Sequence, residues 1–281
     1  MANLKESLLR IFIPLSICAI SVQLNAQNAA RDSSNALMER LEKTVSPFTA
    51  EGQAALDSAL RIDPTNPQIW QQKSMPYLKN GDFISWRKYI NKAVENAPER
   101  YLAYRGFCAA IFVKDYESAL IDFEKRQKLS PKEAIYEMDH SMEFWRSLCY
   151  LELGQLDSAR FFMEKSLKYQ LDLRSAEWAH YNDFFYMGVI FYELNDLGKA
   201  QYYIDASLKN YNQFPDAHYY KALILNKLGK GGEALDHLGQ IENAWKKRYR
   251  MNEDNEVYSN YPKQIGQIEI NNLRAILTSK N

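Results

Sequence analysis

Glycine and proline are scarce in this chain, 11 Gly and 9 Pro in 281 residues, about 7% where roughly 12% is ordinary. That shortage excludes collagen, flexible linkers and turn-rich β-sandwiches. An excess of charge of either sign is also missing: 35 Lys and Arg balance 35 Asp and Glu, which removes the electrostatic footprint that nonspecific nucleic-acid binding requires. Disorder is excluded as well, because 46% of the residues are hydrophobic and 25% are charged of both signs. Long apolar runs are missing too. The one block near the N-terminus, residues 11–20 (IFIPLSICAI), is half of the roughly 20 residues a membrane span needs. What the chain has in surplus is phenol: 19 Tyr, with aromatics at 13%. These features predict an ordered, mostly helical chain.

Lys5 and Arg10, the apolar block, and Ala26 as a small residue for cleavage have the order of a secretory signal. Residues 1–26 are therefore read as a signal peptide, with the protein exported to the periplasm or the exterior. Cys18 leaves a lipoprotein reading open, although Ile17 stands where a lipobox has a small residue. Cleavage leaves Cys108 and Cys149, both among apolar neighbours. Two cysteines make no disulfide framework, and buried small hydrophobes are the simplest reading of them, with a bridge as the alternative.

Self-similarity is the dominant signal. Trp70, Tyr77, Gly81-Asp82-Phe83, Tyr89, Ala93 and Pro98 outline a helical unit with an internal turn at Gly81. Tyr104, Phe107, Cys108, Ala119, Phe123 and Pro131 repeat it, one residue shorter in the first helix. Further units carry Tyr150, Gly154, Leu156 and Ala159, then Gly188, Phe191, Leu197 and Ala200, then Ala222, Leu225, Gly229 and Ala234. Aligned on Trp86, Ala119, Ala159, Ala200 and Ala234, the spacings are 33, 40, 41 and 34.

Over roughly residues 50–245 these motifs resemble the tetratricopeptide repeat. The resemblance implies an all-α fold, a right-handed α-α superhelix of antiparallel helix pairs. Small residues (Cys108, Ser147, Gly188, Ala222) let paired helices approach, and large ones (Trp70, Tyr104, Phe184) fill the layer between. Departures are Trp86 in place of a small residue, Pro76 inside a first helix, and Lys73, Arg126 and Lys221 at places usually apolar.

The organisation that follows is a degenerate N-terminal helix pair over 27–66 and five units at about 67–100, 101–133, 140–173, 181–214 and 215–248. A linker and C-terminal capping helix occupy 249–281. The two long spacings are explained by helix extension. Ser130-Pro131-Lys132-Glu133 has the form of a capping box, so a helix is predicted from Pro131 to about Leu153, and Ser175 could cap one running to Leu194. No strand is required.

Motifs for chemistry are sparse. His140, His180, His218 and His237 do not form a helical paired-histidine zinc spacing, and CxxC is missing, so no metal is predicted. His218 and His237 fall on the two helices of one unit and could face each other. Gly229, Gly231 and Gly232 lack the Lys-Ser/Thr of a phosphate loop, and no Gly-x-Ser-x-Gly elbow exists. The basic run Trp245–Arg250 is followed at once by Glu253, Asp254 and Glu256, and reads as a dipole-favoured helix end. No cofactor is called for, and no enzyme activity is expected.

In the resembled family, ligands commonly lie in the concave groove lined by first helices, where Lys, Arg and Asn often clamp a peptide carboxylate. Here the matching places hold Gln68, Gln71, Gln72 and Met75, then Arg105, and then turn aromatic. The candidate groove residues are Gln71, Arg105, Phe144, Trp145, Phe185, Tyr186, Tyr192, Tyr219 and Tyr220. Aromatic pairs with few cations predict capture of an apolar or aromatic-bearing protein segment. Alternatively, one ring of each pair packs between helices, or the C-terminal helix folds back over the groove. The expectation is a non-catalytic scaffold of a bacterial envelope that binds a protein or peptide partner, without nucleic acid or a membrane span. A glycan or small-molecule module using Trp145, Tyr186 and Tyr220 is the second reading, and a helical hydrolase the third.

Overall fold

The computed structural model describes residues 25, 26, 28–40, 43–131, 134–173 and 179–279. The fold is all-α, a helical repeat of the tetratricopeptide type. It divides into two compact units, Met1–Tyr101 and Leu102–Asn281.

In the first unit residues 28–40 are helical. They are followed by α1 (Ala50–Ile62), α2 (Pro67–Lys79) and α3 (Phe83–Asn96). Each start has a side-chain cap: Thr49 accepts from Gly52, Asn66 from Gln68 and Ile69 with Pro67 in the first turn, and Asp82 from Ser85. Met38, Leu56, Ala59, Leu60 and Ile69 form the apolar core between the first three of these segments. Arg31 and Asp63 pair at 3.1 Å across it. Pro76 falls in the last turn of α2 and is buried there. Trp86 is fully buried, taking the place a small residue would have.

The second unit begins within α4 (Pro98–Cys108), which passes into a π turn, Ala109–Val113, and is followed by α5 (Tyr116–Leu129). Three further pairs are α6 (Met142–Glu152) with α7 (Leu156–Leu173), α8 (Tyr181–Glu193) with α9 (Leu197–Asn210), and α10 (Pro215–Lys227) with α11 (Gly231–Lys246). Helices within each of these pairs pack along their length, and first helices also touch across pairs, α6 on α8 and α8 on α10. Gly188 allows a close approach of α8 and α9: a Cβ there would lie 2.7 Å from the Ile204 side chain. The last helix, α12 (Gln267–Thr278), closes the end, with Ile270, Leu273 and Leu277 in one core with Leu225, Leu238 and Ile241.

Within each unit the turn is made by one residue at positive φ: Gly81 (80°), Lys114 (62°), Gly154 (71°), Asn195 (60°) and Gly229 (76°). These positions are spaced 33, 40, 41 and 34 residues apart, the same series as Trp86, Ala119, Ala159, Ala200 and Ala234 on the second helices.

The extra residues of the first long spacing are not a helix extension, whereas in the second α7 has 18 residues where α3, α5 and α9 have 14 each. Between α5 and α6 the chain makes a two-residue antiparallel bridge, β1 (Tyr136–Glu137) with β2 (His140–Ser141), turned by Met138 and Asp139 at positive φ. The start expected at Pro131 is replaced by one at Met142, because Ser141 accepts from Phe144 and caps α6 there. The expectation that no strand is needed is corrected by the same bridge. In the next unit α8 begins at Tyr181, capped by His180. The cap proposed at Ser175 lies outside the described residues, as does most of the 1–26 segment, and α7 runs through 18 residues.

Candidate functional site

The first helices α4, α6, α8 and α10 present one face of the second unit, and that face is occupied by the chain itself. Residues 247–266, which link α11 to α12, run across it as a strap of turns. The strap is held largely through its backbone. Tyr211 donates to the carbonyl of Arg250 (3.1 Å), Tyr181 to that of Met251 (2.5 Å) and Tyr186 to that of Pro262 (2.8 Å). The N–H of Ile265 donates to Asp216 (2.6 Å). At the α4 end, Ser259 donates to the Ile111 carbonyl (2.6 Å), Lys114 bonds the Asn260 carbonyl, and Lys263 pairs with Glu152 at 3.2 Å. Met251 is fully buried, and the Tyr261 ring stands 6.3 Å from that of Trp145.

The open aromatic groove expected from the sequence is thus corrected to a filled one. Phe144, Trp145, Phe185 and Tyr186 have no exposure and Tyr220 has 6%. Trp145 donates to the Glu137 carbonyl at 2.8 Å, and Phe185 packs on Phe214 and Tyr220 at 5.0 and 5.7 Å. Stacking of a sugar on Trp145 or Tyr186 is closed off while the strap is in place. Tyr192 and Tyr219 are half-buried; Tyr192 lies edge-on to Tyr220, and Tyr219 packs against the core that includes α12. Arg105 makes a two-pronged ion pair with Asp122 on α5 (2.7 and 2.6 Å), which ties a helix pair together. Gln71 belongs to α2 of the first unit and is half-buried. The covering element is the strap and not the C-terminal helix, which packs on α10 and α11.

Beneath the strap is a polar cluster. His140, buried at 1%, stacks on Phe144 at 3.9 Å and stands edge-on to His180 at 4.6 Å. Its Nε2 meets Glu253 of the strap at 3.0 Å, and Asn182 donates to the same Glu253 oxygen at 2.5 Å. Its Nδ1 faces Asp183 at 3.6 Å. Burial pushes the His140 imidazole down, but the carboxylates of Asp183 and Glu253 outweigh it and bring the group to about 9. Burial raises Glu253, and its hydrogen bond and charge attraction to His140 carry it below the usual carboxylate value. Burial and the neighbouring His140 both hold His180 low. One ligand atom each from His140, His180 and Asp183 lie within 4.8 Å of one another.

His218 and His237 do meet, Nδ1 to Nδ1 at 2.8 Å, with the His218 Nε2 on the Asn212 carbonyl. Cys108 and Cys149 are both buried. Residues of the site that the sequence reading missed are Asp216, Glu253 and the His140–His180–Asp183 group. A signal was available for the last. His140 and His180 are 40 residues apart, the spacing of the units themselves, so both stand at the start of a first helix.

The architecture defines an α-helical repeat scaffold. A family model for the tetratricopeptide repeat matches residues 67–100, and one described as anaphase-promoting complex, cyclosome, subunit 3 matches residues 152–241. The chain thus carries a tetratricopeptide-repeat segment on a helical-repeat fold of that type. Among solved structures it is similar to PilW, titled a widely conserved type IV pilus biogenesis factor, with a TM-score of 0.60 and 16% identity over 78% of this chain and 94% of that one. It is also similar to Pseudomonas aeruginosa PilF, with a TM-score of 0.58 and 15% identity over 89% and 97%. A tetratricopeptide-repeat protein from Parabacteroides merdae ATCC 43184 gives 0.52 and 14% over 81% and 77%. At these identities the likeness is one of fold. No curated protein matches the sequence. No described helix is long and apolar enough to cross a membrane.

Proposed function

We propose that this protein is a non-catalytic scaffold of the bacterial envelope that binds a partner protein segment on the first-helix face of its second unit, in exchange for its own strap. The observation that carries the reading is the strap's mode of attachment. Backbone groups of Arg250, Met251, Pro262 and Ile265 are bonded by groove side chains, while Met251 and Tyr261 fill the apolar space. A surface that recognises backbone carbonyls with phenols and side chains with aromatic walls suits an irregular peptide with spaced apolar anchors. Such a segment needs no free carboxylate, in keeping with Arg105 being engaged by Asp122. The envelope part rests on the signal-like pattern of residues 1–26, and sequencing the exported chain should find an N-terminus near Gln27.

The test uses a labelled peptide of residues 249–266. A covalently linked strap competes at an effective concentration in the millimolar range, so the intact chain should bind the peptide poorly. Tyr261→Ala weakens the strap from within and should bind the intact-sequence peptide at least tenfold more tightly than the unaltered chain does. Adding Tyr181→Phe and Tyr186→Phe on the groove side should abolish that gain. Equal binding to all three proteins, or none to any, would sink the reading.

A further inference from the structure

Two buried atoms in the second unit face each other without a bond. Nδ1 of His140 and Oδ2 of Asp183 have no hydrogen-bond partner among the described residues, although the two side chains are 1% and 0% exposed. Their separation of 3.6 Å is beyond hydrogen-bond reach. It is close to the distance of about 3.4 Å that two ligands keep when each lies about 2.0–2.2 Å from a tetrahedral zinc ion.

Both groups are held in that pose from behind. Glu253 takes the other nitrogen of His140 at 3.0 Å, and Phe144 stacks on the ring. Asp183 accepts from Ser166 through Oδ1 at 2.5 Å, and Ser166 in turn accepts from Ser141 at 2.8 Å. Carboxylates behind a histidine and hydroxyls behind a carboxylate are the supports that fix metal ligands.

His180 supplies a third donor within 4.8 Å of the other two. It currently caps α8 by accepting from Asn182 at 3.3 Å, a long bond. An inward shift of at most about 1.4 Å brings it to the ligand–ligand distance of about 3.4 Å.

We propose that His140, through Nδ1, Asp183, through Oδ2, and His180 bind one divalent transition-metal ion of the zinc class, with the fourth position left to water. Two nitrogens and one carboxylate oxygen favour zinc, cobalt or nickel over magnesium or calcium, which prefer all-oxygen sites. The ion takes the place of the proton otherwise found on Nδ1. Because Glu253 belongs to the strap, the loaded site fastens the strap to α6 and α8. The ion-binding inference stands independently of what the groove captures.

The test is titration of the full, tag-free, chelator-treated chain with Zn2+ by calorimetry and with Co2+ by absorption. One ion per chain is expected, with tetrahedral cobalt bands. His180→Asn removes a ligand but keeps a good helix cap, so it should fold normally and bind at least tenfold more weakly. Asp183→Asn, which keeps the bond from Ser166, should do the same. The proposal is overturned by no binding at a tenfold excess of Zn2+, by affinity unchanged in both variants, or by a thiolate-to-cobalt band placing the ion at Cys108 or Cys149.

Discussion

Asp216 is 2% exposed and its carboxylate receives the Ile265 N–H of the strap. Burial pushes its pKa from 3.8 to about 7, only partly offset by the backbone donors of Ile265 and Asp216 itself. A raised acid binds a proton more readily folded than unfolded, so its contribution is fully present below about pH 4 and is lost as pH rises through about 7. Asp216→Asn keeps the acceptor and cannot ionise. Thermal unfolding should therefore show the variant matching the unaltered chain at pH 4 and exceeding it at pH 8, by about 2–4 kcal/mol for a shift of this size. Equal stability at both pH values would refute this. The two lysines that depart from the repeat pattern have a related explanation. Lys73 and Lys221 are buried at 6% and 8%, and each reaches a carboxylate on a neighbouring helix, Asp57 at 2.7 Å and Asp205 at 2.5 Å. Sequence could flag them as misplaced because burial follows from register. Their partners lie 16 residues away in each case, across a turn, where pattern alone assigns no pairing.

At the scale of the element, three of the second helices start in one manner. Asp82, Asp115 and Asp196 follow the positive-φ turn residue and accept from the amide three residues on, at 3.0, 3.1 and 3.1 Å. Lys230 has the equivalent place before α11, with φ −97° and ψ 57°, and caps nothing. Lys230→Asp should supply the missing bond. A cap is worth about 1 kcal/mol, and the exposed Lys230–Glu233 pair it removes, 3.2 Å long, is worth ~0–1 kcal/mol. The expected outcome is a melting temperature higher by about 2 °C, whereas a loss of stability would show that Lys230 does more than start a helix. The start after Gly81 was legible because Gly-Asp marks turn and cap together. The starts of α6 and α8 were not. Ser130-Pro131 carries a stronger local signal than Ser141, yet the chain turns back at Met138 and Asp139 and begins the helix at the residue whose hydroxyl also reaches Ser166. Tertiary contacts overrode the local signal there.

At the scale of the molecule, the chain covers the first-helix face of its second unit with its own strap. The aromatic surplus was legible as a first-helix stripe, and its residues do converge, since Phe144, Tyr186, Phe185 and Tyr220 form one chain of ring contacts 5.5, 4.9 and 5.7 Å apart. What covers them was not legible, because residues 247–266 have the polar, turn-rich composition of a linker and their affinity for the groove resides in backbone groups that every sequence shares. Only the spacing of Met251, Tyr261 and Ile265 distinguishes the strap from a loop, and all three are buried. Few anchors on an irregular backbone make the strap a local unit that opens before the helices beneath it. Truncating Tyr261, which is 4% exposed, removes a buried ring worth about 3 kcal/mol or more, enough to raise the open population about a hundredfold. Hydrogen exchange should accordingly speed up by that order across Met251–Gly266 in Tyr261→Ala. Amides of α9, whose buried Ile204 packs on Gly188 of α8 and not on the strap, should keep their protection. Acceleration spread evenly over α9 and the strap would mean that the two open together, and that the strap is part of the cooperative core of the second unit.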